Sequence, residues 1–210
     1  MKKLFFLIIL LISAICSQAQ KVKHHSYTTY YNAAIKEPDS VSWDLTSAMV
    51  SCSSQVRKDA FKQDPLIPGS ATPADYTNSG YDKGHLFSYD DAECNDIDKL
   101  ECFYMSNMLP QLHPFNAGDW KVLEMQERMW AKNKVLHIVA GGFGTLGKLK
   151  NGENIPAYMW KAILMDGKYT IWLMPNSKDA HGHDVNYWKT SLTSFDFNSL
   201  AAIITKAKLK

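Results

Sequence analysis

Cysteine is scarce: four residues in a chain of 210, no two of them in a C-x-x-C spacing. That argues against a thiolate zinc site, which needs such pairs. An excess of one charge is also missing. Lys and Arg total 23 against 21 Asp and Glu, a formal net charge of +2, so no overall basic field marks the chain as a binder of polyanions. Long apolar runs are absent too. The longest, Leu4–Ile15, is about a dozen residues, short of the roughly 20 that a membrane-spanning helix needs. No internal repeat or low-complexity tract occurs. Gly141-Gly142-Phe143-Gly144 looks like a nucleotide loop but has no Lys-Ser/Thr after it, so a P-loop is not supported.

What is present suits one folded unit. A composition of 46% hydrophobic and 21% charged residues over this length is enough for a single sizeable core. Residues 1–19 read as a signal peptide: Lys2-Lys3 as the positive region, Leu4–Ile15 as the apolar region, Ser17-Gln18-Ala19 as the cleavage site. Cys16 raises lipoprotein anchoring as an alternative, but Ile15 before it is larger than that pathway wants. The expectation is an exported chain, secreted or periplasmic, beginning near Gln20. Without Lys2 and Lys3 the remainder is formally neutral. Binding of nucleic acid would then have to come from a local basic patch or a metal ion. Cys52, Cys94 and Cys102 remain, and export favours one disulfide. The pairing is open: Cys94 with Cys102, or Cys52 with either.

Residues 20–39 read as a loosely ordered lead-in, with His24-His25 solvated, and 40–210 as one domain. Val41, Trp43 and Leu45 alternate with polar residues in Ser40–Thr46, the periodicity of a strand. Pro65, Pro68, Gly69, Pro73 and Gly80 make 62–80 a long loop. Asn116-Ala117-Gly118-Asp119 reads as a helix start, with Asn116 as N-cap and Asp119 a first-turn acid. That helix would run to about Asn133, with Trp120, Leu123 and Trp130 packing. Val135–Ala140, Ile155–Met165 and Tyr169–Met174 are strand-like runs, the last two joined by the hairpin signal Asp166-Gly167. Trp160 and Trp172 on that pair read as packing. Leu192–Ala207 reads as a closing helix. The order of elements predicts an α+β layer protein.

Two groups of residues carry chemistry. In Tyr81-Asp82-Lys83-Gly84-His85-Leu86, a histidine follows a glycine that lets the backbone turn. An imidazole near neutral pKa is the usual group to deprotonate a water nucleophile. Asn116, Trp120, Glu124 and Arg128 then recur at every fourth position, on one helix face. Asn116 and Glu124 would sit about 12 Å apart along the axis, too far for direct ligation of one ion by both. One direct ligand plus one carboxylate acting through bound water fits Mg²⁺, which keeps several waters. Taken singly, each residue has a blander reading: a structural histidine, an N-cap asparagine, an exposed glutamate paired with Arg128. His181-Gly182-His183-Asp184 reads more simply as an exposed polar loop than as a metal site. His113, close to Asn116, is equally well substrate contact or structure.

Taken together and in order, the blocks resemble the DNA/RNA non-specific endonuclease family. The blocks are Tyr81–Leu86, Tyr104-Met105-Ser106-Asn107-Met108-Leu109-Pro110-Gln111, and Asn116-x3-Trp120-x3-Glu124-x3-Arg128. Arg57…Phe61-Lys62-Gln63-Asp64-Pro65 extends the match upstream and Ile155-Pro156-Ala157-Tyr158-Met159-Trp160-Lys161 downstream, so that it runs from about Ser40 to Met174. The resemblance implies an α+β, ββα-metal (His-Me finger) fold, with a central mixed or antiparallel sheet flanked by helices. It implies His85 as general base, Asn116 as direct ligand of one Mg²⁺ or Mn²⁺ ion, and Glu124 as the carboxylate holding metal-bound water. Arg57, Lys83 and Arg128 would neutralise phosphate, and Asp82 and Asn107 would support the site. The family usually has Arg where Lys83 stands, and Lys lacks the bidentate fork. The implied function is cleavage of DNA and RNA without sequence preference. Alternatives are a phosphodiesterase or phosphatase for smaller substrates, or a nucleic-acid-binding protein with a weakened site.

Overall fold

The computed structural model describes residues 19–53 and 56–190. The signal segment up to Gln18 and the expected helix over Leu192–Ala207 lie outside the described residues. In chain order the strands are β1 (Gln20–Lys23), β2 (Tyr27–Asn32), β3 (Glu37–Leu45), β4 (Asp82–His85), β5 (Met108–Gln111), β6 (Leu136–Phe143), β7 (Gly147–Lys148), β8 (Asn154–Ile155), β9 (Tyr158–Met165), β10 (Lys168–Pro175) and β11 (Lys189–Thr190). The helices are α1 (Tyr89–Ala92), α2 (Asp96–Glu101), α3 (His113–Phe115) and α4 (Lys121–Ala131). Seven strands form one antiparallel sheet in the order β1-β2-β3-β6-β9-β10-β11, and β4 with β5 forms a separate hairpin pair.

The period-2 alternation of side chains decides which face of the sheet each residue serves. Ile138 and Ala140 of β6 and Met159 and Ile163 of β9 enter the main core with Trp43, Phe87, Phe103, Phe115, Trp120 and Leu123. The intervening Val139, Trp160 and Ala162 pack on the opposite face with Ile171. Lys161 has the parity of Met159 and Ile163, so a lysine points into the main core, where it is fully buried. The β9–β10 hairpin turns on Asp166 and Gly167, both with positive φ (52° and 74°), as the Asp-Gly signal predicts.

Three expectations are corrected. Residues 20–39 are not a loose lead-in: they form β1, β2 and the start of β3, and the boundary at 39/40 falls inside a strand. The reason is alternation in Tyr27–Asn32, which buries Tyr27, Thr29 and Tyr31 against the sheet's neighbours. His24 is not solvated: its Nε2 lies 3.3 Å from Asp64 with both side chains fully buried, and its ring stacks on Tyr27. His25 is partly exposed and bonds Asp98 through Nδ1 at 2.9 Å. The helix expected from Asn116 is broken. Asn116 has right-handed helical torsions and closes the short α3 rather than capping a helix. Asn116–Trp120 form a wide π-type turn in which Gly118 is non-helical (φ −101°, ψ −115°), and regular helix starts only at Lys121. Gly118 is needed there because a Cβ would lie 2.7 Å from the Cβ of His181. Asp119 is tied to the same loop, accepting from the backbone N–H of His183 (3.0 Å) and from Trp188 Nε1 (2.7 Å). His183 Nδ1 lies 2.7 Å from the same carboxylate, while His181, Gly182 and Asp184 are exposed, as expected of a polar loop.

Candidate active site

The β4–β5 hairpin carries one wall of a cleft. Asp82, Lys83, Gly84 and His85 pair with Gln111, Pro110, Leu109 and Met108. Gly84 therefore lies within a strand and does not make the sharp turn expected of it. Its requirement is steric: a Cβ would stand 2.2 Å from Cδ of the buried Gln111 side chain. After His85 the chain is clipped by Asn107, whose Oδ1 accepts from Phe87 N–H at 2.9 Å and whose Nδ2 donates to the carbonyls of Phe87 and Cys102, both at 2.8 Å. Trp120 Nε1 donates to the His85 carbonyl at 3.1 Å. The backbone of His85 is thus held from both sides.

The imidazole of His85 packs against Phe61 and Phe103, its Nε2 has no hydrogen-bond partner, and the residue is buried. Burial first, and then the charges of Arg57 and Lys83, lower its pKa to about 3. The ring is therefore neutral over the physiological range, with a lone pair available.

The cleft is lined by Arg57, Lys83, His85, Ser88, Tyr89, Asp90, Asn116, Ala117, Lys121 and Glu124. Of the residues picked from the sequence, Arg57, Lys83, His85, Asn116 and Glu124 meet here. Asp82 stands behind Asn116: its Oδ2 accepts from Asn116 Nδ2 at 2.9 Å and lies 2.8 Å from His113 Nδ1. Arg57 is bonded to Asp59 at 2.7 Å, with its guanidinium beside the rings of Tyr89 and Phe103. The Cys52–Cys94 disulfide ties its segment to the end of α1; Cys102 is free and buried. Lys83 Nζ sits 4.7 Å over the Phe61 ring. Arg128 does not line the cleft; it bonds Asp90 at 3.0 Å and approaches Asp91 at 3.7 Å. Lys121 was missed in the sequence. The every-fourth-residue pattern skips it, but Lys121 stands three residues before Glu124 on α4 and so shares its face, a spacing that could have found it.

The helix side of the cleft is acidic and closely packed. Burial raises the pKa of Glu124 to about 7, while Lys161 and Arg128 pull it back down. Burial likewise raises Glu127 to about 8 and Asp91 to about 6.

A divalent cation fits this chemistry in one form only. Among the described residues no group of three His, Cys, Asp or Glu side chains could hold a metal, so a closed protein cage is not offered. Asn116 presents a hard oxygen, its amide nitrogen being engaged by Asp82, with the Glu124 carboxylate in the same cleft. Few protein oxygens and room for water suit an ion that keeps its hydration, as Mg²⁺ does.

Residues 13–201 match the family model described as DNA/RNA non-specific endonuclease. The chain is 34% identical over 146 residues to "Nuclease" of Nostoc sp., covering 67% of this chain and 53% of that protein. It is 26% identical over 203 residues to "Nuclease EXOG, mitochondrial" of Xenopus laevis, covering 86% of this chain and 56% of that one. The chain spans about half the length of these curated relatives. Among solved structures, a chain from the crystal structure of the EndoG/EndoGI complex superposes with a TM-score of 0.75 at 24% identity, over 85% of this chain and 83% of that chain. The fold is therefore the α+β, ββα-metal nuclease fold, here with an entirely antiparallel main sheet.

Proposed function

The chain belongs to the DNA/RNA non-specific endonuclease family, and from that premise we propose that it is an exported, divalent-cation-dependent endonuclease hydrolysing phosphodiester bonds of DNA and RNA. The observation that carries this reading is the meeting, in one cleft, of a neutral histidine with an unpartnered Nε2, an asparagine, a glutamate and three cationic side chains.

His85 Nε2 takes a proton from the attacking water. Its low pKa makes it neutral but weakly basic. A phosphodiester anion bound against Arg57 and Lys83 offsets the charges that depress it and raises its basicity toward the range useful for general-base catalysis. Arg57, Lys83 and Lys121 hold and neutralise the phosphate as charge builds on it. Stacking on Tyr89 and Phe103 keeps the Arg57 guanidinium extended toward the cleft. Asp82 fixes the Asn116 amide so that its oxygen is the free end. Mg²⁺ or Mn²⁺, held by Asn116 with Glu124 orienting its waters, would supply Lewis-acid stabilisation of the phosphate and the leaving oxygen. The cationic groups address phosphate rather than base edges, which gives cleavage without sequence preference.

Export is part of the proposal. It is supported by the lysine-flanked apolar segment Leu4–Ile15 and by the Cys52–Cys94 disulfide, a bond that persists in oxidising compartments. The test is digestion of plasmid, single-stranded DNA and RNA by the purified protein, with and without chelator. Cutting of all three, lost in chelator and restored by Mg²⁺ or Mn²⁺, is expected. Full activity in chelator would overturn the cation requirement, and no cutting under any condition would overturn the nuclease reading.

A further inference from the structure

Lys161 is the one residue of the Ile155–Lys161 block whose chemistry the cleft does not explain. It is a lysine on a strand face that otherwise feeds the hydrophobic core, and its side chain is completely buried. It does not line the cleft, so it touches no substrate. Its surroundings link the two walls. Nζ lies 3.1 Å from Glu127 Oε2, with both side chains fully buried. It also lies 4.3 Å over the ring of Trp120 and 5.6 Å over that of Trp43. Trp120 is the side chain whose indole N–H holds the His85 carbonyl. Glu127 is one turn beyond Glu124 on α4.

The charges around it are unbalanced. Asp90 and Glu124 share the cleft with Arg57, Lys83 and Lys121, whereas the buried Asp91 is acted on by Arg128 and Lys161 and the buried Glu127 by Lys161, which acts on Glu124 as well. Both carboxylate oxygens of Asp91 and one of Glu127 are buried with no hydrogen-bond partner. Removing Lys161 would leave Glu127 without its ion-pair partner and Asp91 with Arg128 alone, and buried like charges relieve themselves by taking up protons or moving apart. The lysine is therefore not a neutral filler. A methionine of similar length would pack as well without a desolvation penalty.

We infer that Lys161 is a positioning residue for the proposed nuclease reaction, a buried counter-ion that holds the Glu124 side of the cleft and, through the face of Trp120, the segment carrying His85. The inference rests on the reading of the cleft given above. It predicts that charge at position 161 matters for turnover even where the fold does not need it.

The experiment uses the full chain and three variants: Lys161→Met, the doubly neutral Lys161→Met/Glu127→Leu, and Glu127→Gln. Thermal unfolding, tryptophan emission, kcat and KM on double-stranded DNA are measured for each. Lys161→Met alone should be destabilised, because it strands Glu127. The doubly neutral pair should regain a cooperative transition near that of the parent, as buried pairs replaced by apolar residues commonly do. Its kcat should still fall by about 10–100-fold, the usual loss for a supporting residue, with KM changed less than about threefold. Its tryptophan emission should shift as the ammonium leaves the Trp120 face. Glu127→Gln keeps the Lys161 charge and should retain kcat within about threefold. Parent-like kcat in the doubly neutral variant would overturn the inference. If that variant does not fold, Glu127→Gln decides: retained turnover supports a role for the charge, whereas a loss as large as that of Lys161→Met assigns the effect to pair geometry. Failure of the unmodified chain to cut DNA would overturn the nuclease reading, and the role inferred for Lys161 in that reaction would fall with it, an outcome distinct from parent-like kcat in the doubly neutral variant.

Discussion

The two walls of the cleft are built on opposite principles. The hairpin wall holds His85 among Phe61 and Phe103 with two cations beside it, and the environment strips its proton. The helix wall crowds Asp91, Glu124 and Glu127 around Lys161 and Arg128, and the environment gives them protons. One physical cause acts on both. Burial disfavours whichever form is charged, so a base loses its proton and an acid keeps one. Burial thus pushes the site toward neutrality from both directions. A bound phosphate anion and a cation would each restore charge to the nearest wall, the anion to the histidine and the cation to the glutamate. The walls differ in what they need from a ligand, and that difference can be tested by disabling each separately.

The hairpin wall should give the larger loss. His85→Ala removes the unpartnered Nε2 and is expected to lower kcat/KM by about 10²–10⁴-fold, the range of general-base contributions. Substrate binding should survive, because Arg57, Lys83 and Lys121 remain. Retention of DNA affinity in a binding assay, with cleavage lost, is the expected pair of results. Unchanged cleavage would mean that another group takes the proton.

The helix wall should show itself through pH. Glu124 has a pKa raised to about 7, and its ionised form is the one proposed to act. At limiting cation, kcat/KM should therefore fall as pH drops from 8 to 6, by nearly tenfold per unit once below the pKa. Raising the cation concentration should move this limb to lower pH, since a nearby cation favours the carboxylate. Glu124→Gln should remove the limb and leave activity about 10–100-fold lower. His85, at about 3, should contribute no limb in this window. Stability should separate the walls by sign. The raised pKa values of Glu124 and Glu127 give a contribution that is complete below the ordinary glutamate range and is lost as pH rises through 7 to 8. The depressed pKa of His85 gives one that is present above the ordinary histidine pKa of 6.5 and is lost as pH falls toward 3. The two windows overlap, and there the two glutamates outweigh the one histidine, so the contribution of these groups to melting temperature should peak near the ordinary glutamate pKa of 4.5 and fall on either side.

The same contrast explains what was legible in the sequence. The two strands of the hairpin wall are each a short unbroken run, so Asp82-Lys83-Gly84-His85 and the segment that pairs with it stood out as blocks. The strands β3, β6, β9 and β10 were legible from alternation and from Asp166-Gly167. The helix wall was half legible. Periodicity placed Glu124 in the cleft with Asn116, but it assumed an unbroken helix. The break at Gly118 depends on contact with His181, a neighbour distant in sequence, and Arg128 turns to Asp90 and Asp91, which periodicity could not show. Long-range contacts also hid the role of residues 20–39. His24 is polar by type, yet it is buried because Asp64, forty residues on, receives it. Lys161 was seen as part of a block without a role, since only the sheet's parity reveals that it points inward.

The smallest expected effect is at Lys83, where the family resemblance leads one to expect arginine. Lys83 Nζ sits over the Phe61 ring, a geometry that also suits a guanidinium, which stacks on aromatic faces and is less strongly hydrated. Lys83→Arg would keep the charge that depresses His85 and add a planar fork able to grip two phosphate oxygens at once. The gain should appear in binding more than in turnover, because the proton acceptor is untouched. A fall in KM of about two- to fivefold, with kcat within about twofold, is expected from one improved charged hydrogen bond. The β4–β5 pairing is compatible with the change, since the side chain leaves the strand toward the cleft and its partner Pro110 donates no hydrogen bond to it. A drop in kcat instead would show that the compact ammonium at this position sets the basicity of His85 in a way the larger, delocalised cation does not, and the hairpin wall would then be tuned by charge density rather than by charge alone.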